Sequence, residues 1–119
     1  MKHDSAERVE ATSIAEAGVQ LATLQGAAQQ ASSLMKALSN PDRLLLLCHL
    51  ASGEHNVGAL QAVLGIMQPT LSQQLAVLRE EGLVATRREG KNIYYRVASP
   101  QALAVLQVLH AQFCPSDPS

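Results

Sequence analysis

Between Gly65 and Val84 the chain reads GIMQPTLSQQLAVLREEGLV, and its first turns carry Gln68, Thr70, Ser72, Gln73 and Gln74 without a charge among them. Solvated helix faces usually carry Lys, Glu and Arg. A face of amides and hydroxyls instead offers neutral donors and acceptors, able to match a surface that presents both. The other reactive side chains are two thiols, Cys48 and Cys114. Their separation excludes a C-x-x-C redox motif and a zinc ribbon. Taken alone, Cys48 reads as a small hydrophobe in an apolar run, and Cys114 as a thiol near a chain end. The end of a helix disfavours a thiolate, so the dipole does not activate Cys114. His110 lies one turn before it and could assist, or serve simply as an interface residue.

The elements that must position these groups follow from spacing. Residues 1–12 are polar and read as a flexible segment. A helix is expected from about Ser13 to Leu38, with no charge between Gly18 and Met35 and with Gly18 and Gly26 each weakening it by about 1 kcal/mol relative to Ala. A long helix of small and apolar residues suits an interface. "SNPDR" is a helix start, with Asn40 as N-cap, Pro41 at the first position and Asp42 at the positive end of the dipole. The helix "LLLLCHLA" follows, apolar nearly all round and therefore central, stopping at Ser52-Gly53. His49 should point away from its neighbour Cys48. Asn56 caps a short helix that Gly65 ends. Pro69 begins the next, with Leu71, Leu75 and Leu78 facing inward, ending near Gly82. The period then changes: "LVATRRE" and "NIYYRVA" are strands of a hairpin around Gly90-Lys91. Ser99-Pro100 starts a last helix with Leu103, Leu106, Leu109, His110 and Phe113 on one side, and residues 115–119 form a tail.

Composition narrows the function. One domain of this size can hold a single core. With 47% hydrophobic and 16% charged residues, some apolar surface should be hidden against a second chain. The net charge of −1 argues against a strongly basic binder of nucleic acid. Its distribution argues the other way: from Gln68 to Ala98, Arg79, Arg87, Arg88, Lys91 and Arg96 face only Glu80, Glu81 and Glu89. No stretch is long and apolar enough to span a membrane, and the start lacks the apolar core of a signal peptide. A cytoplasmic protein with reduced thiols is the expectation.

Two short helices joined by a tight turn, followed by a hairpin with a basic tip, make a winged helix-turn-helix in the order α-α-α-α-β-β-α. The major groove of DNA presents neutral donors and acceptors, which Gln, Ser and Thr can match. Arg87, Arg88 and Lys91 would hold phosphates at the edge, where charge positions the protein without specifying sequence.

From about Leu34 to Phe113 the sequence resembles the ArsR/SmtB family of dimeric winged helix-turn-helix repressors, through "LSNPDRLLLL", "QPTLSQQLAVLREEGLV" and "RREGKNIYYRV". The resemblance implies a homodimer through the first and last helices, residues 13–114 forming the DNA-binding and dimerisation domain, and two reading helices on a palindromic operator. It implies that Gln68, Thr70, Ser72, Gln73 and Gln74 face bases and nearby phosphates, while Arg87, Arg88 and Lys91 hold the backbone.

Most such repressors sense metals, and here the sequence departs from the pattern. Where a common thiolate site needs Cys-x-Cys, this chain has Val57-Gly58-Ala59-Leu60. Where a common zinc site needs paired Asp/His with His/Glu on the last helix, it has His110 and no carboxylate from Ser99 to Phe113. Neither standard metal site can be assembled, and no cofactor is called for. The cysteines, in these two elements, resemble those of the sulfide- and persulfide-responsive subgroup of BigR- and SqrR-like regulators. That resemblance implies redox-sensing by Cys48 and Cys114: reduced, they permit DNA binding, and reactive sulfur or an oxidant bridges them and releases the operator. The alternative is a metal- or metalloid-responsive repressor using Cys48, Cys114 and one of His3, His49 or His110. A thiol oxidoreductase is disfavoured by the absence of a C-x-x-C, of a cysteine at a helix N-terminus and of an acid/base pair.

Overall fold

The computed structural model describes residues 14–115, so the expected flexible segment 1–12, His3 and the tail beyond Pro115 lie outside the described residues. The order is α1 (Ile14–Leu38), α2 (Pro41–Leu50), β1 (His55–Asn56), α3 (Val57–Leu64), α4 (Thr70–Glu80), β2 (Val84–Glu89), β3 (Asn92–Val97) and α5 (Pro100–Phe113). Two compact units divide the chain, residues 1–35 and residues 36–119. The described part of the first is helix, with Leu21, Leu24 and Met35 exposed.

In the second unit the helix starts are local and chemical. The Asn40 side chain accepts from Arg43 N at 3.0 Å, Asn56 from Ala59 N at 2.8 Å and Ser99 from Ala102 N at 3.0 Å. Each satisfies an amide that the first turn of a helix leaves without a partner. Gly65 ends α3 at φ +70°, a left-handed conformation that glycine adopts without steric cost.

The core is aliphatic, as a chain with no Trp and one Phe requires. Leu46, Leu47 and Leu50 of α2, Leu60 of α3, and Leu71, Leu75 and Leu78 of α4 are its largest fully buried side chains. Each contributes about 1.5–3 kcal/mol by leaving water. Ala102 and Leu106 add α5 to the same core.

Two sequence expectations need correction. A two-residue strand precedes α3: His55 pairs with Tyr95 and Asn56 with Tyr94, so the hairpin becomes a three-stranded antiparallel sheet of order β1-β3-β2. The helix around "LLLLCHLA", apolar nearly all round, is not buried all round, because Leu45 and Cys48 are exposed. Helical spacing explains this. Leu46, Leu47 and Leu50 share one face, and at about 100° per residue Cys48 falls nearly opposite them.

Candidate nucleic-acid interface and thiol site

The leucines at positions 71, 75 and 78 seat α4 on the core and thereby fix which residues face out. Gln73 lies opposite them, Ser72 is exposed on one flank, and Gln74 lies on the other, half-buried. Thr70 is half-exposed at the first helical position. Pro69 at the N-cap provides no side-chain cap. Gln68 replaces it: its Oε1 accepts from Ser72 N at 3.1 Å and from Ser72 Oγ at 2.8 Å. Gln68 and Ser72, both exposed, are thus tied together at the helix start. No acid occupies the first turn of α4; Glu80 shares the outward side only at its far end.

Gln74, expected to face bases, is engaged from within. Its Oε1 accepts from Arg43 Nη1 at 2.9 Å. The chain's charge pattern gave no role to Arg43, yet a signal was there. Arg43 precedes Leu46 and Leu47 by three and four residues, which puts a cation on the buried face of α2.

The three basic residues of the hairpin are placed differently from one another. Val84 pairs with Val97 and Glu89 with Asn92, leaving Gly90 and Lys91 as the turn, with Gly90 at φ +62°. Alternation along β2 sends Arg87 and Arg88 to opposite faces. Arg87 Nε lies 2.8 Å from Glu54 Oε1, Nη1 lies 3.7 Å from Glu89 Oε1, and the guanidinium sits 4.7 Å from the centre of the Tyr94 ring. The hydrogen bond that Arg87 donates to Glu54 holds its guanidinium above the ordinary pKa. Arg87 is therefore occupied at the root of the wing, while Arg88 and Lys91 are exposed and form no ion pair among the described residues. Glu54 was not singled out from sequence because it acts on Arg87 across 33 residues, whereas Tyr94 is the cross-strand partner of Arg87 in the hairpin.

Cys48 is exposed, not buried. It lines a groove of about 480 Å³ together with Ala51, Ser52, Leu106, Gln107 and His110. Cys114 follows α5, and its N–H donates to His110 O at 3.0 Å. Partial burial pushes the Cys48 thiol up from 9.0, and the charge of Cys114 pushes the same way. The fold disfavours the Cys48 thiolate, so stability from this site is intact below the unfolded value and lost as pH rises through the raised folded value. Alkylation of Cys48 by iodoacetamide, followed by peptide mass spectrometry, is expected to keep accelerating above pH 9.0. A plateau below that pH would contradict the raised value.

His49 turns away from Cys48, as its position on the helix implied. It stacks on His55 with ring centres 4.3 Å apart and planes at 22°, and both Nε2 atoms are buried without a hydrogen-bond partner. Among the described residues no group of three or more His, Cys, Asp or Glu is placed to hold a metal ion. No described helix is long and apolar enough to cross a membrane.

The model of the family described as "Bacterial regulatory protein, arsR family" matches residues 40–86, from the N-cap of α2 into β2. The biofilm growth-associated repressor of Agrobacterium fabrum is 50% identical over 96 residues, covering 81% of this chain and 82% of that protein. Among solved structures, the transcriptional repressor BigR from Xylella fastidiosa is 46% identical with a TM-score of 0.74, covering 79% of this chain and 96% of the other. Reduced HlyU from Vibrio cholerae is 38% identical with a TM-score of 0.75, covering 78% of this chain and 98% of the other.

Proposed function

As the chain belongs to the ArsR family of bacterial regulatory proteins, we propose that it is a cytoplasmic, homodimeric repressor that binds a palindromic operator and lets go when Cys48 and Cys114 are bridged by sulfur chemistry. Residues 13–114 act together as its DNA-binding and dimerisation domain. The observation that carries the DNA half is the outward face of α4: uncharged over its first two turns, exposed at Ser72 and Gln73, and presented by a helix whose leucines are fully buried. In a major groove, Gln68, Thr70, Ser72 and Gln73 would meet base edges and nearby phosphates. Arg88 and Lys91 would hold the backbone, with Arg87 bracing the wing and reaching phosphate only by sharing its guanidinium with Glu54.

Dimerisation through the first and last helices would cover the apolar groups they expose. Leu21, Leu24 and Met35 on α1 and Val108 and Phe113 on α5 are all more than half exposed, Phe113 by 80%. Single exposed hydrophobes are ordinary, and Leu45, Val63 and Met67 are exposed elsewhere, but the five on the first and last helices supply apolar area for a partner to cover.

The sulfur half is supported by the exposure of Cys48, the groove it shares with His110, and the charge effect of Cys114 on Cys48. A direct disulfide needs Cα atoms about 4.4–6.8 Å apart, and extra sulfur atoms let a wider pair close without bending the backbone. The test is mass spectrometry of the protein after treatment with a sulfide donor, paired with a gel shift on its own promoter. A bridged peptide pair together with loss of the shifted band is expected; a shift that persists with the thiols bridged would separate the sulfur chemistry from DNA release. For the metal-responsive reading, with Cys48, Cys114 and a histidine as ligands, the groove places His110 beside Cys48, and tight stoichiometric zinc in the reduced dimer would favour that reading.

Two substitutions test the interface. Gln73→Ala is expected to cost about 1–3 kcal/mol on operator DNA and to relax one base position. An unchanged operator affinity would remove Gln73 from the contact set. Arg88→Ala is expected to weaken binding to all sequences alike and to reduce the slope of log K against log salt by about one. A loss confined to the operator would make Arg88 a base reader.

A further inference from the structure

Arg43 makes three side-chain hydrogen bonds at once. Its Nε donates to Ala37 O at 2.7 Å, Nη2 to Lys36 O at 3.3 Å and Nη1 to Gln74 Oε1 at 2.9 Å. We propose that Arg43 and Gln74 form a brace that fixes the roll of α4, making Gln74 a positioning residue for the DNA-reading face rather than a reader of bases. This role rests on the DNA-binding reading above.

The last four carbonyls of a helix lack partners within it and carry its negative end. Lys36 O and Ala37 O belong to that turn, and the guanidinium binds both. The guanidinium is planar and its N–H directions are rigid. Two of its nitrogens being held on backbone, the direction of the third is set, and it points at Gln74. The contact spans 31 residues of sequence and joins α2 to α4.

Leucines alone would leave α4 poorly defined in one respect. Leu71, Leu75 and Leu78 set how deep the helix sits, but apolar contact is non-directional and permits rotation about the helix axis. Rotation is the coordinate that matters for reading, because it swings Gln73 and Ser72 sideways across the groove. A directional bond on the flank of the helix resists it, and Gln74 occupies that flank. Its oxygen is committed to Arg43, and the residue is half-buried while Gln73 beside it is exposed. Lysine would not substitute: one ammonium on a flexible stem cannot hold two carbonyls and aim a third bond.

The experiment is a double-mutant cycle on the full chain under reducing conditions, with Arg43→Lys, Gln74→Ala and the pair. The probe is a DNA duplex enriched from a random-sequence pool by the unaltered protein, and the selection is repeated with Gln74→Ala. Melting is followed by circular dichroism, and binding is read well below the lowest midpoint, so that every variant is folded when tested. The expected result has three parts. Each single change weakens binding about tenfold. The double variant binds no worse than the weaker single, because both remove the same brace. The sequence enriched by Gln74→Ala matches that of the parent at every position. Losses that multiply, or one relaxed base position with Gln74→Ala, would overturn the brace and return Gln74 to the reading face. Failure of the unaltered protein to enrich any duplex would instead overturn DNA binding itself, and the brace with it.

Discussion

Replacing Cys48 or Cys114 by serine is expected to yield a repressor that binds its operator as the parent does and no longer releases it on polysulfide treatment. The first half follows from where the thiols lie. Cys48 is exposed on the face of α2 away from Leu46, Leu47 and Leu50, and Cys114 is exposed at the end of α5. Serine at either place therefore leaves the core intact, and neither residue is on α4 or the wing. The second half follows from the bridge. Joining two thiols removes two protons and two electrons, which a peroxide or a sulfane-sulfur donor accepts, and a serine hydroxyl cannot take part. Bridging ties α5 to α2, the helix on which α4 packs. A cross-link that disfavours the DNA-bound geometry by about 3 kcal/mol weakens binding more than a hundredfold. The parent is thus expected to lose over a hundredfold in operator affinity on treatment, and each serine variant about none. The measurement is a titration of operator DNA before and after polysulfide, with intact mass recorded on the same samples. A variant that still releases DNA like the parent ends the two-thiol switch.

How the sequence exposed some of these features and hid others has a physical reason. Helix starts were legible because a cap is local: Asn40, Asn56 and Ser99 each bond an amide three residues on. The leucine stripe of α4 was legible because its period is that of the helix, and the wing because "RREGKN" puts a turn glycine between two alternating strands. What was hidden depends on partners far along the chain. β1 is a strand because Tyr94 and Tyr95 lie beside it, not because of His55 and Asn56 themselves. Arg87 looked like a free cation until the fold set Glu54 against it across 33 residues. Gln74 looked like its neighbour Gln73, and only the placement of α2 separates them. Cys48 is an intermediate case. Its run of leucines suggests burial, while the spacing of Leu46, Leu47 and Leu50 already puts it on the other side. The groove it lines needs α5, which spacing within α2 cannot reveal.

Leu75→Ala is expected to destabilise the protein by about 2–5 kcal/mol, the range for deleting a fully buried leucine side chain. Leu75 is 1% exposed and sits between Leu71 and Leu78 on the stripe that seats α4. Its loss removes apolar area from the core and leaves a cavity that rigid neighbours fill only in part. Against a total stability of about 5–15 kcal/mol for a domain of this size, that is a large share. In urea the transition midpoint should fall with its slope unchanged, measured at one protein concentration because the stability of a dimer depends on it. Operator binding should weaken as well, since the reading face loses its seat. The contrast with Gln73→Ala identifies what each residue does. Gln73→Ala should leave the urea midpoint in place while operator affinity drops, because its side chain is exposed. Leu75→Ala should move both. A midpoint that moves with Gln73→Ala, or stays put with Leu75→Ala, would mean that α4 packs by a different face and that the surface assigned to DNA belongs to the core.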